Sequence, residues 1–237
     1  MIVRDDGASL LLITQPEHAA LSERIMATWQ ADGLPHRRTR DTILLATREH
    51  DNGWREVDAK PSVNSITGRP HDFINVPDRT KRGIWPRGVA RLETDNPQAA
   101  ALIAQHALTV LERHSATAWC EFFATIETGR DRLLSGGAYD SRFEAFTADY
   151  RLVFLGDLFS LIFCCGWQKT FAAEGYEVVL DGRSLTVQPD PFEGQNVQLA
   201  VRVRRIPNRH YQSDEDLATE LNRPAPEEVL TGVAIGR

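Results

Sequence analysis

Seven histidines occur in the chain, at positions 18, 36, 50, 71, 106, 114 and 210, and their placement among apolar residues singles out three of them. His18 precedes Leu21, Ile25 and Trp29 by 3, 7 and 11 residues, so a helix through it carries the imidazole on its apolar face. His50 follows Ile43 by seven and Ala46 by four, and Asp51 comes directly after it. His106 lies among Ala99, Leu102, Ile103 and Val110, while Asp157 has Val153, Phe154 and Leu161 as its helical neighbours. Four separate segments therefore aim imidazole or carboxylate at one interior. Neutral imidazoles with hard carboxylate oxygens are the donor mixture that suits zinc, iron or manganese.

Asp157 sharpens the point. An unpaired carboxylate in so apolar a run loses several kcal/mol on burial unless a cation or strong donors meet it. A metal ion held by imidazoles is one compensation, and a buried network of arginine, hydroxyl or amide donors is another. Ser160, three residues after Asp157, is placed to support it by hydrogen bonding.

The elements that must position these groups follow from local signals. Residues 2–14 read as two short strands around an Asp-Asp-Gly-Ala turn. Thr14 and Glu17 form a capping-box pattern, so a helix is expected from about Pro16 to Gln30. A second helix is expected from Asp41 to the Asn52-Gly53 stop, a third from Pro97 to Ser115, and a fourth from Ala118 to the Ser135-Gly136-Gly137 stop. A fifth, from Tyr139 to Cys165, is so apolar in its second half that it is expected at the centre of a bundle. Between Trp54 and Gly88 prolines and glycines break every period, which predicts a long ordered loop. Trp54, Phe73 and Trp85 would anchor that loop or wall a pocket mouth. Beyond Gly166, the runs YEVVL, RSLTVQ and NVQLAVRVRRI predict three strands, followed by a short helix near Asp214 and a last strand around Glu228 to Ile235. The arginines of VRVRR read as a solvated sheet face.

The blocks LLITQPEHA, EHDNGW, GRPHDF and FLGDLFSLIFC resemble an uncharacterised bacterial domain-of-unknown-function family, a likeness that brings no function with it. The order His18, His50-Asp51, His106, Asp157 also resembles the HD superfamily of metal-dependent phosphohydrolases. The elements above predict a mainly α fold, a helical bundle with a small antiparallel sheet from the C-terminal strands and N-terminal hairpin, and the second resemblance implies that the bundle is HD-like. It also implies that His18, His50, Asp51 and Asp157 hold one divalent metal (Fe, Mn or Zn). Asp51 would bridge to a second ion, with His106 its ligand and His71 the best candidate to join. A divalent ion activates water and polarises a phosphoryl oxygen, so hydrolysis of a small phosphorylated or polar metabolite is expected. Asp51 or Glu49 would accept the proton, and Arg55 and Arg69 would pair with the phosphate. Iron on the same ligands would instead support di-iron oxygenase chemistry, and a non-catalytic protein with a buried His/Asp network is the third reading.

Composition bounds these readings. The 237 residues divide into three expected segments: an N-terminal hairpin at 1–15, a helical metal-binding domain at 16–170 and a β-rich subdomain at 171–237. The net charge is −6, so no nucleic-acid partner is expected. Three cysteines, Cys120, Cys164 and Cys165, suit neither a disulfide framework nor a thiolate zinc site, and a cytoplasmic location follows as the expectation. The run from Leu152 to Cys165 is about half a bilayer span and contains Asp157, so no membrane partner is expected. A homo-oligomer stays open. No G-x-S-x-G elbow, P-loop or G-x-G-x-x-G is present, which removes the usual support for triad hydrolases, Walker NTPases and Rossmann dehydrogenases.

Overall fold

Strands β1 (Ile2–Asp6) and β2 (Ser9–Ile13) form the expected hairpin, and Thr14 caps the next helix by accepting a hydrogen bond from the Glu17 amide at 3.3 Å. In the computed structural model, which describes residues 1–114, 117–135, 139 and 143–237, that helix is α1 (Gln15–Ala27). Helix α2 (Arg40–Glu49) ends at His50 and passes through a 3-10 turn at Asn52–Trp54 into the short α3 (Arg55–Ala59). Helices α4 (Asp78–Ala90), α5 (Pro97–Val110), α6 (Thr117–Leu134) and α7 (Phe143–Cys165) follow. The expected helix end at Ser115, the Gly136-Gly137 stop and much of the first turn expected from Tyr139 fall outside the described residues.

The segment expected as one long loop contains α3 and α4. Gly83, Pro86 and Gly88 hide the helical period of α4, yet Ile84, Trp85 and Gly88 are buried and packing holds the helix. Pro86 removes one amide donor from it, a loss that tertiary contacts outweigh. Gly53 explains the close docking of α4: a Cβ there would lie 2.0 Å from the Ile84 carbonyl oxygen.

The C-terminal part supplies β3 (Thr170–Ala173), β4 (Tyr176–Asp181), β5 (Ser184–Gln188), β6 (Val197–Pro207), α8 (Asp214–Leu221) and β7 (Glu228–Gly236). Strand β6 is the hinge of the architecture. Its first half pairs with β7 from Val197 to Val203, and its end pairs with β2 from Arg204 to Pro207, both antiparallel. Strand β7 continues into β5 as a parallel pair, giving one mixed seven-stranded sheet in the order β1-β2-β6-β7-β5-β4-β3, curled as a half-barrel.

This corrects the expected fold class. The protein is not mainly α, nor an HD-like helical bundle with a small antiparallel sheet; it is a mixed α/β fold with a large sheet. The parallel pairing of β5 with β7, strands about fifty residues apart, has no local sequence signature. The main core joins both layers, with Leu21, Ile25 and Phe159 of the helices packed in one cluster with Val178, Val187 and Leu199 of the sheet. Among the described residues, no helix is long and apolar enough to cross a membrane.

The arginines of β6 are engaged with neighbouring groups. Arg202 pairs with Glu17, Arg205 with Asp6 and Glu228, and Arg204 donates to backbone carbonyls at the end of α8.

Candidate metal centre

Helices α1, α2, α5 and α7 pack against one another, and their inward faces meet at His18, His50, His106 and Asp157. Gly156 sets the approach of α7. A Cβ on it would lie 2.7 Å from Met26 Cγ and 2.9 Å from Thr47 Cγ2, so only glycine lets α7 reach α1 and α2 one residue before Asp157.

The donor atoms converge tightly. His18 Nε2 is 3.0 Å from Asp157 Oδ1, 3.3 Å from His50 Nε2 and 3.7 Å from Asp51 Oδ2. His50 Nε2 is 3.2 Å from Asp157 Oδ1 and 3.5 Å from Asp51 Oδ2. A divalent ion at about 2.0–2.1 Å from four tetrahedral donors separates them by roughly 3.3 Å, the middle of this range. His106 stands on the other side of Asp157, its Nε2 3.8 Å from Oδ2.

The far nitrogen of each ring fixes its tautomer. Ser160 donates its hydroxyl proton to the His18 carbonyl at 2.8 Å, so its oxygen accepts from His18 Nδ1–H at 2.7 Å. His50 Nδ1–H donates to the Thr47 carbonyl at 2.7 Å. Both Nε2 atoms therefore point into the cluster, the arrangement by which outer groups orient metal-ligating histidines. Gln15 holds Asp51 in turn, its amide Nε2 donating to Oδ2 at 3.0 Å.

Burial and neighbouring charge shape the protonation states. Burial depresses the His50 imidazole, but the Asp51 charge and the hydrogen bond and charge of Asp157 outweigh it and raise the pKa to about 9. Burial holds His106 down to about 3; the pull of Asp157 is insufficient to restore it, and His50 and His18 lower it further. Burial raises Asp51 despite His50 and His18. Burial also opposes ionisation of Asp157, yet hydrogen bonds from His18 and His50 carry it well below the usual carboxylate range.

Asp149, one of two buried acids on α7, offers a contrast. Arg37 and Thr39 meet it at 2.5 Å each and Tyr139 at 2.7 Å, so it is saturated by a cation and two hydroxyls. Among the described residues, Asp157 is met by imidazole nitrogens alone.

A cavity of about 250 Å³ opens onto Asp51, His106 and Asp157 and is walled by Trp54, Phe73 and Trp85. His18 and His50 are not among its lining residues. The cluster thus has a closed histidine side and an accessible carboxylate side.

Five of the residues singled out from sequence come together here: His18, His50, Asp51, His106 and Asp157. The others stand apart. His71 bonds to Asn75 Oδ1 at 2.8 Å in the loop before α4. Glu49 pairs with Arg55 at 2.8 Å in a separate surface groove, and Arg69 pairs with Asp5 at 3.1 Å. Sequence reasoning missed Gln15, although it lies inside the LLITQPEHA block, and also missed Lys81 and His114 at the cavity, which carry no local signal.

A family model described as "Protein of unknown function (DUF3891)" matches residues 1–208 of the 237. The chain belongs to the DUF3891 family. The match corresponds to the uncharacterised family resembled by the four sequence blocks, and no HD relationship accompanies it. All five residues of the DUF3891 cluster lie inside the matched region, whereas α8 and β7 lie beyond it. No curated protein and no solved structure matches the chain. Within the DUF3891 chain, His18, His50 and Asp157, or His50, Asp51 and His106, could hold a metal ion, each set having its donor atoms within 4.8 Å of one another.

Proposed function

We propose that this protein is a metal-dependent hydrolase of a small substrate that enters through the cavity beside Asp51, His106 and Asp157. The observation that carries the reading is the cluster of His18 Nε2, His50 Nε2 and Asp157 Oδ1, 3.0–3.3 Å from one another, with Asp51 Oδ2 3.5–3.7 Å from both imidazole nitrogens. Lone pairs and carboxylate oxygens so arranged repel one another until a cation sits between them. Bound there, a zinc, manganese or iron ion would supply Lewis acidity and a water whose pKa falls toward neutrality. Asp51 and Asp157, which would help hold the ion, line the cavity, whereas His18 and His50 do not. His106 is the imidazole on that open side, kept neutral by burial and so able to accept a hydrogen bond from a substrate or water in the cavity.

The test is metal analysis of protein purified without chelators or a metal-binding tag, alongside Asp157→Asn, followed by hydrolysis assays on small phosphate and carboxylate esters. The expected result is about one equivalent of metal, lost in the variant, with metal-dependent turnover. Iron with oxygen consumption and no hydrolysis would replace this reading with an oxygenase, for which two histidines and one carboxylate are also a known ligand set. A protein that takes up no metal after reconstitution would leave the cluster as a structural network and overturn the proposal.

A further inference from the structure

The cavity has a second end with its own chemistry. Its floor carries the carboxylates Asp51 and Asp157 and its walls are aromatic, but Lys81 of α4 also lines it and is the only Lys or Arg among the described residues that do. The Lys81 ammonium donates to the Ile74 carbonyl at 2.7 Å. Among the described residues, no carboxylate lies within ion-pairing distance of Lys81. A lysine ammonium carries three donors, so capacity beyond the Ile74 bond is left for a ligand.

Unsatisfied polar atoms point to the same place. Among the described residues, six buried side-chain polar atoms find no partner, and three are the Nε of arginines. The other three are Trp54 Nε1, Trp85 Nε1 and Gln15 Oε1, and all three residues line this cavity. Two buried donors without acceptors and one buried acceptor without a donor are costly, and their concentration at one cavity points to a ligand that supplies the missing partners.

Resting on the metal-hydrolase reading for the floor, we infer that the substrate is a small molecule with an apolar body and one oxyanion, and that Lys81 binds the oxyanion. The ion held by Asp51 and Asp157 would offset their charge, whereas no carboxylate among the described residues offsets Lys81, so the oxyanion takes the Lys81 end. The apolar body lies along Trp54, Phe73 and Trp85, and the reacting group reaches the ligand cluster. Lys81 is the specificity residue and takes no part in bond breaking.

Tryptophan fluorescence of the full chain, titrated with phenylacetate and its neutral analogue phenylacetamide, tests this. Wild type should bind phenylacetate at least about tenfold more tightly, the scale of one charge-assisted contact. Lys81→Met should abolish the preference, and Lys81→Arg should keep it. Equal binding of the two probes by wild type, binding of neither, or a preference that survives in Lys81→Met would each overturn the inference. Metal content read on the same samples separates the two claims. A Lys81-dependent preference without metal sinks the hydrolase and keeps the anion site, whereas bound metal without a preference does the reverse.

Discussion

The Nε2 atoms of His18 and His50 face each other across 3.3 Å, and each ring has already committed its Nδ1 proton, one to Ser160 and the other to the Thr47 carbonyl. Without a cation between them, these two nitrogens would present lone pair to lone pair beside Asp157 Oδ1. A cation resolves the conflict, either a metal or a proton.

Proton and metal therefore compete, and the sign of the pH dependence follows. His50 in the metal-free fold has its pKa raised from 6.5 to about 9, so the stability its protonation contributes is present below pH 6.5 and is lost as pH rises through about 9. The metal-free protein should lose melting temperature across that window. Metal uptake should run the other way, weakening about tenfold per pH unit below pH 9 because one proton must leave. Melting curves and metal titrations between pH 6 and 9.5 check both trends, and flat profiles would contradict the shared-cation arrangement.

Ser160 touches none of the proposed metal-facing atoms, yet it holds His18 by its Nδ1–H. Ser160→Ala should weaken metal binding by roughly 10- to 100-fold while the chain stays folded. Competition with a chelator of known affinity measures the change, and unaltered affinity would mean that the hydroxyl does not orient the ring.

Gly156→Ala places a methyl 2.7 Å from Met26 and 2.9 Å from Thr47. Overpacking of this kind costs about 1–3 kcal/mol, and α7 should shift away from α1 and α2. Urea denaturation should show the loss of stability, and metal content per folded chain should fall with it. Full retention of both would show that the helices can give way without moving Asp157.

Asp149→Ala removes the other buried acid of α7 and leaves Arg37, Thr39 and Tyr139 without their common acceptor. The expected cost is about 3 kcal/mol, with metal content per folded chain unchanged. Metal loss equal to that of Asp157→Asn would mean that any buried acid on α7 matters only for folding.

What the sequence determined by itself is what depends on neighbours along the chain. The Thr14 cap, the strand alternation of Tyr176, Val178 and Leu180, and the inward faces of His18, His50, His106 and Asp157 all follow from periods of two or 3.6 residues. What only the tertiary structure decided depends on residues distant in the chain. Helix α4 survives Pro86 because Ile84 and Trp85 bury against other elements, and the parallel neighbour of β5 comes from the far C-terminus. His71, Glu49, Arg55 and Arg69 are also candidates in the sequence, yet ion pairs and a loop hydrogen bond engage them elsewhere. The inward nitrogen of each imidazole is chosen by the hydrogen bond on its opposite side, and for His18 that partner, Ser160, is 142 residues away. Local spacing can place a side chain on a face, but the direction of its lone pair is set by contacts that exist only once the helices have packed.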